Sequence, residues 1–384
     1  MNKPNQVTFS TFNLLNYLEP PNAYYDFENI YSLDEWQKKQ HWIAEAIRST
    51  DCDVIGFQEI FSPESLQQLM NELGYPYFAV VDSAHVEDDY LYTSPVVGIA
   101  SRYPIENVQP VTPDSSLLAA FNLSDNFSFN RTPVHATIEL PHLSSTDCYV
   151  VHFKSQRPTE PKVEPAEPSD SSAEQKPQSD TLIKLHQEQL GSWLSSVQRG
   201  LEAQLLHQYI TNQRYLTNQP VVLIGDFNKP LFNDEFRGLL SYSLNRDETS
   251  QHWLSHFRLR DSWDLYHQLH EEDLLEQRKP THYYGASGSV LDYILMSNEC
   301  DSHNSSSLME ISHYTVLEHH PINPSFEHDQ FSTDHAVVSV TAHIREAQVR
   351  HKKAAANTAA FPLQTNGLSQ PTPHLEIDLP FNKV

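Results

Sequence analysis

The segment Pro220–Pro230, PVVLIGDFNKP, restricts the chain to folds with a strand buried on both faces. Val221-Val222-Leu223-Ile224 is too uniformly apolar for a strand with one wet face. Gly225 then lets the chain turn without a side-chain clash. Asp226 and Asn228 follow at once, and Pro230 stops the strand. A buried strand that opens onto a carboxylate and an amide must find partners for both. An Asx turn supplies them locally; a metal-bound phosphate supplies them from outside. The segment alone leaves both readings open.

Strand after strand repeats this ending. VTFSTFNLL alternates as a half-buried strand, with Asn13 near its end and Asn16 beyond. Val54-Ile55-Gly56-Phe57 is a second buried strand, ending on Gln58-Glu59. Cys148–Ser155, CYVVHFKS, puts His152 and Lys154 on one face, since alternate residues share a side. Asp292 lies inside the strand Val290–Ser297, and Asp334-His335 precede a final strand, AVVSVTAHI. Pro76–Val81, Pro95–Ser101 and Phe129–Leu140 are further strands, the last entered by Arg131. Acids, amides and histidines at so many strand ends predict that one edge of a sheet is a site. Its oxygen donors suit magnesium, and histidines beside acids suit proton transfer near neutral pH.

Helices are predicted from a cap at Asp34 through Ser49, with Trp36, Trp42, Ile43, Ala46 and Ile47 on one face. A second runs from Ser62-Pro63 to Gly74. Leu182–Leu216 is a third, with kinks expected at Gly191 and Gly200. Asn233–Leu240 and Phe257–Leu269 are short helices. Residues 156–180 are Pro-, Glu- and Ser-rich and read as a disordered or extended insert, and 346–384 as a flexible tail. The polar stretch 298–331 carries His313, His319, His320 and His328, expected at the surface because their spacing fits no tetrahedral zinc site.

The formal net charge of −25 disfavours a protein that grips duplex nucleic acid through a basic stripe. Hydrolysis of a phosphodiester stays open, because a divalent cation concentrates positive charge at one spot. With no run of about eighteen apolar residues, no membrane span and no stable membrane association are expected. The first residues lack a signal-peptide pattern. Cys52, Cys148 and Cys300 form neither a zinc pattern nor a disulfide framework. Together these features predict a reducing, cytoplasmic setting.

In order, FNLLNY, the GFQE around Glu59, GIASRYPI, HFKS, GDFN, LDYI and TDH resemble the blocks of the endonuclease/exonuclease/phosphatase superfamily, from about Val7 to Ile344. The resemblance implies an α+β fold, a four-layer α/β/β/α sandwich of two packed, mostly antiparallel sheets with helices on the outer faces. It implies a catalytic domain over 1–345 with its site at a sheet edge. The activity implied is that of a metal-dependent phosphodiester hydrolase, an endo- or exonuclease acting on DNA or RNA with Mg²⁺, or Mn²⁺ in its place. The alternative is a hydrolase of small phosphoesters or phospholipid head groups. A third reading, from another class, is a binding module that kept the fold without the chemistry.

The resemblance also implies roles. Glu59 would be the main metal ligand, with Asn13 and Asp334 nearby. His335, oriented by Asp292, would be the histidine of a catalytic His–Asp pair. Asp226 would position or deprotonate the attacking water. His152 and Asn228 would hydrogen-bond the phosphoryl oxygens, and Arg131 would touch a phosphate or support the site. Whether Asp226 or His335 is the base stays open. KPLFND after GDFN, and no Cys/Arg signature before VLDYILMS, argue against the inositol-polyphosphate phosphatases. No paired aromatic loop suited to membrane insertion stands out, which argues against a sphingomyelinase.

Overall fold

The computed structural model describes residues 5–123, 127–161, 176–240, 251–270 and 277–345. With strands numbered along the chain, one six-stranded sheet runs β16 (Met309–Leu317), β17 (Val337–Ile344), β1 (Gln6–Tyr17), β3 (Val54–Ile60), β7 (Val96–Ser101), β4 (Tyr77–Val80). The second six-stranded sheet runs β12 (Arg260–Asp261), β15 (Asp292–Met296), β11 (Val221–Asp226), β10 (Ser144–His152), β9 (Val134–Leu140), β8 (Ile105–Pro110). Two small sheets join β2 (Ala23–Tyr24) to β6 (Leu91–Ser94) and β5 (His85–Glu87), and β13 (His282–Tyr284) to β14 (Ser287–Ser289). Both large sheets share one polarity pattern. The central pair, β1–β3 or β10–β11, is parallel and every other neighbour is antiparallel.

Alternation along the strands builds the layers. Val7, Phe9 and Val54 of the first sheet meet Val150, Val222, Ile224 and Ile294 of the second in the central core. The opposite face of the first sheet, with Phe12, Ile55 and Phe57, packs on Trp36, Ile43 and Ile47 of helix α1 (Leu33–Thr50) and Leu66 and Met70 of α2 (Pro63–Glu72). A short helix α3 spans Ser115–Ala120. The outer face of the second sheet, with Tyr149, Val151 and Leu223, packs on Ala203, Leu206 and Ile210 of α4 (Lys176–Thr217). The layer order is therefore helix, sheet, sheet, helix, as the α+β reading requires.

Several local expectations change. Ser32, not Asp34, caps α1, because its hydroxyl and Glu35 form a reciprocal capping box. Phe129–Leu140 is a strand only from Val134. The short helices reduce to a 3-10 turn at Asp234–Phe236 and a helix at Ser262–His267. The polar stretch 298–331 contains β16, an edge strand that is half exposed along most of its length. Two parts of the expected insert are ordered against or into α4. The Thr159 amide donates to Gly191 O at 3.0 Å, and α4 begins at Lys176. Gly191 marks this close approach rather than a kink, since a Cβ there would collide with the Thr159 carbonyl. The tail 346–384 lies outside the described residues, as do 162–175 of the insert.

Candidate active site

Strand parity aims the functional side chains. Val222 and Ile224 of β11 face the other sheet, so Asp226, two further on, faces it as well. The same parity carries Cys148 and Val150 to His152, Ile294 back to Asp292, and Val7 and Phe9 to Asn13. Register completes the placement: Asp226 pairs with His152 on one side and Asp292 on the other. Gly225 permits this close pairing, since a Cβ there would strike the Val151 carbonyl. The site thus lies where the central strands of both sheets end.

Asn13 Nδ2 donates to Glu59 Oε1 at 3.4 Å and to Asp226 Oδ2 at 3.2 Å, joining the two sheets. The Asn16 amide donates to Glu59 Oε2 at 3.0 Å. Glu59 sits within a register shift of β3 with φ +62, and Asn228 has φ +57. Left-handed backbone at non-glycine positions is costly and concentrates at functional sites. Asp226 Oδ1 accepts from the Asn228 amide at 2.7 Å, the Asx arrangement expected of GDFN, while Asn228 Nδ2 donates to Phe153 O at 3.0 Å. The other oxygen, Asp226 Oδ2, lies 3.5 Å from His152 Nε2 and 3.8 Å from His335 Nε2.

His335 Nδ1 donates to Asp292 Oδ2 at 2.9 Å. Thr281, absent from the sequence reading, accepts from the Asp292 amide at 3.2 Å and takes the Ala336 amide on its own carbonyl at 2.7 Å. It ties the two halves of the His–Asp pair together. His320 is buried rather than superficial: its Nε2 donates to the His335 carbonyl at 2.9 Å. The His282 ring lies beside His335, tilted at 48° with ring centroids 4.8 Å apart. Asp334 is exposed at the rim, where a donor atom from it can cluster with His282 and His335.

Electrostatics separates the groups. Burial raises Asp226 to about 7, aided by the charges of Asp292 and Glu59 and opposed by His335 and the Asn228 amide. For His335, burial disfavours the imidazolium, but Asp292 and Asp226 outweigh it and hold the pKa well above the usual value. His152 is pushed well below its usual value by burial and by the Arg131 and His335 charges, so it stays neutral. Its Nδ1 is buried with no hydrogen-bond partner, as are Nε and Nη1 of Arg131. Lys39, also missed from the sequence, is buried on α1 and lowered by that burial to about 8, with Glu59 and Asp334 opposing the drop. Its signal was a charge inside an apolar helical stripe, at the helical spacing between Trp36 and Ile43.

The donor set fits a hard divalent cation. Carboxylate oxygens of Glu59 and Asp226 converge on one amide NH₂, and carboxylate oxygens of Asp226 and Asp292 lie within 4.8 Å of one another. Like charges gathered in low dielectric call for a cation or a proton.

The chain belongs to the Endonuclease/Exonuclease/phosphatase family, whose sequence pattern matches residues 11–335. Members of this family are metal-dependent phosphoester hydrolases, among them nucleases and phosphatases. No curated protein matches the chain. The human Nocturnin catalytic domain with bound sulfate is similar in fold: TM-score 0.52 at 15% identity, covering 88% of this chain and 95% of that one. Truncated Caenorhabditis elegans TDP2 gives TM-score 0.47 at 12% identity, with coverage of 88% and 97%. The Bacteroides thetaiotaomicron mannosyl-6-phosphatase Bt3783 gives 0.46 at 14% identity, with coverage of 88% and 99%. Among the described residues, no helix is long and apolar enough to cross a membrane.

Proposed function

We propose that this protein is a Mg²⁺-dependent phosphodiesterase that cleaves nucleic acid. The observation that carries the chemistry is the buried His335, gripped by Asp292 on Nδ1 and facing Asp226 with Nε2. Glu59 would hold the cation, with Asn13 and Asp334 beside it; Mn²⁺ suits the same oxygen donors. When bound, the cation neutralises the phosphate and stabilises charge that builds in line. Asp226, whose raised pKa fits a proton acceptor near neutral pH, takes the proton from the attacking water. His335 stays protonated, with Asp292 fixing its orientation, and stabilises the phosphoryl oxygens. Neutral His152 and the side-chain NH₂ of Asn228 add hydrogen bonds, each worth roughly 10²–10³ in rate. The Nε and Nη1 groups of Arg131, which lack a partner, donate to a phosphate oxygen. Nucleic acid, rather than a small phosphoester or lipid head group, is supported by the aromatic ring of Tyr25, which lies near Glu59 and Arg131.

A panel of bis-p-nitrophenyl phosphate, p-nitrophenyl phosphate, single-stranded oligonucleotide, plasmid and sphingomyelin, with Mg²⁺ and with EDTA, tests the assignment. EDTA-sensitive cutting of nucleic acid and the diester is expected. Turnover confined to the monoester or to sphingomyelin would move the substrate to the alternative class.

A further inference from the structure

Tyr25 lies close enough to Glu59 and Arg131 for both charges to act on its hydroxyl, and that hydroxyl hydrogen-bonds Arg131. The Tyr25 ring meets Phe61 edge-on at 5.6 Å, just past the end of the strand that carries Glu59. The Arg157 guanidinium lies 6.0 Å from the same ring, just past the strand that carries His152. The Tyr25 amide is fixed to Tyr92 O at 2.8 Å, and its φ of +59 holds it in a strained conformation. Phe61, itself buried, contacts Tyr92 edge-on at 6.2 Å, and Phe27 contacts Tyr90 at 5.5 Å. Tyr25, Phe27 and Tyr90 are 38%, 47% and 42% exposed, and all three belong to the segments paired through β2 and β6.

Two properties of this wall limit what it binds. Exposed aromatic faces take a flat aromatic group by stacking, whatever its sequence. The wall is also flanked by exposed Asp26, Glu28, Glu87, Asp88 and Asp89, which repel any phosphate chain running past it. A base can rest there, but a continuing polyanion is turned away.

We propose that the wall formed by Tyr25, Phe27 and Tyr90 is the subsite for one terminal nucleobase next to the scissile phosphate. The enzyme then works at the end of a single strand, or on a short nucleotide diester, rather than inside a duplex. This proposal rests on the nuclease assignment above. Binding draws on stacking more than on phosphate contacts, which reconciles nucleic-acid cleavage with a net charge of −25.

The test uses the full chain with Mg²⁺. A labelled linear single strand is compared with its covalently closed circle, and a terminal nucleotide with the same end lacking its base. The wild type should shorten the linear strand, spare the circle, and prefer the base-bearing end by roughly tenfold or more. That preference should fall towards parity in Tyr25→Ala and in the surface double variant Phe27→Ala/Tyr90→Ala, and survive in Tyr25→Phe. Equal cutting of circle and strand would overturn the terminal subsite while leaving the nuclease assignment standing. A base preference that persists in both alanine variants, or is lost equally in Tyr25→Phe, would overturn the stacking role. Turnover of phosphocholine lipid or phosphomonoester with both nucleic acids untouched would overturn both assignments.

Discussion

His335 and Asp226 face each other at 3.8 Å, Nε2 to Oδ2, where the central strands of the two sheets end. The imidazole favours its proton and the carboxyl sits near neutrality, so one site holds both a donor and an acceptor near pH 7.

Asp292→Ala should lower kcat roughly 10²–10⁴-fold with a much smaller change in KM. Burial works against protonated His335, and Asp292 is the largest charge supporting it, so the alkaline limb of the pH–rate profile should move to lower pH. A full profile checks this; an unmoved alkaline limb would show that His335 does not depend on Asp292.

Asp226→Asn should stabilise the metal-free protein at pH 8 by a few degrees in Tm. A carboxyl raised on folding contributes stability below its unfolded pKa and loses it as pH rises through the folded value, about 7 here. The gain from Asn should therefore shrink as pH falls and vanish near pH 4. Melting curves across that range give the sign directly, and a variant less stable at pH 8 would contradict it.

Lys39→Met should tighten divalent binding severalfold, because a buried ammonium that interacts with Glu59 and Asp334 opposes a second cation there. Titration of Mn²⁺ into both proteins compares the affinities. Weaker binding in the variant would mean that Lys39 organises the carboxylates rather than competing for them.

Gly225→Ala should cost more than about 2 kcal/mol, since the new methyl meets the Val151 backbone, which belongs to a central strand and has nowhere to shift. Urea denaturation reads the loss. A near-neutral result would require β10 and β11 to separate at that point.

Much of the site was legible because period-two alternation both buries a strand and aims its last residue. Asp226, His152 and Asp292 could be placed from their strands alone. The residues that hold them could not. Thr281 and His320 act on backbone groups of Asp292, Ala336 and His335, contacts that leave no spacing in the sequence. β16 was hidden because an edge strand with one wet face admits His313 and other polar residues among its apolar ones. The aromatic wall escaped notice because Phe27 and Tyr90 meet only when distant loops fold together. Among the described residues Cys52, Cys148 and Cys300 are buried free thiols, in keeping with a pattern that suggested no disulfide framework.

The most direct measurement is cleavage of a labelled single-stranded oligonucleotide by wild type, Glu59→Gln and His335→Ala, each with Mg²⁺ and with EDTA. Rapid cutting by the wild type should stop in EDTA, return on adding Mg²⁺, and fall at least about 10²-fold in both variants. Cutting that ignores EDTA, or that survives in both variants, would contradict the site assigned here.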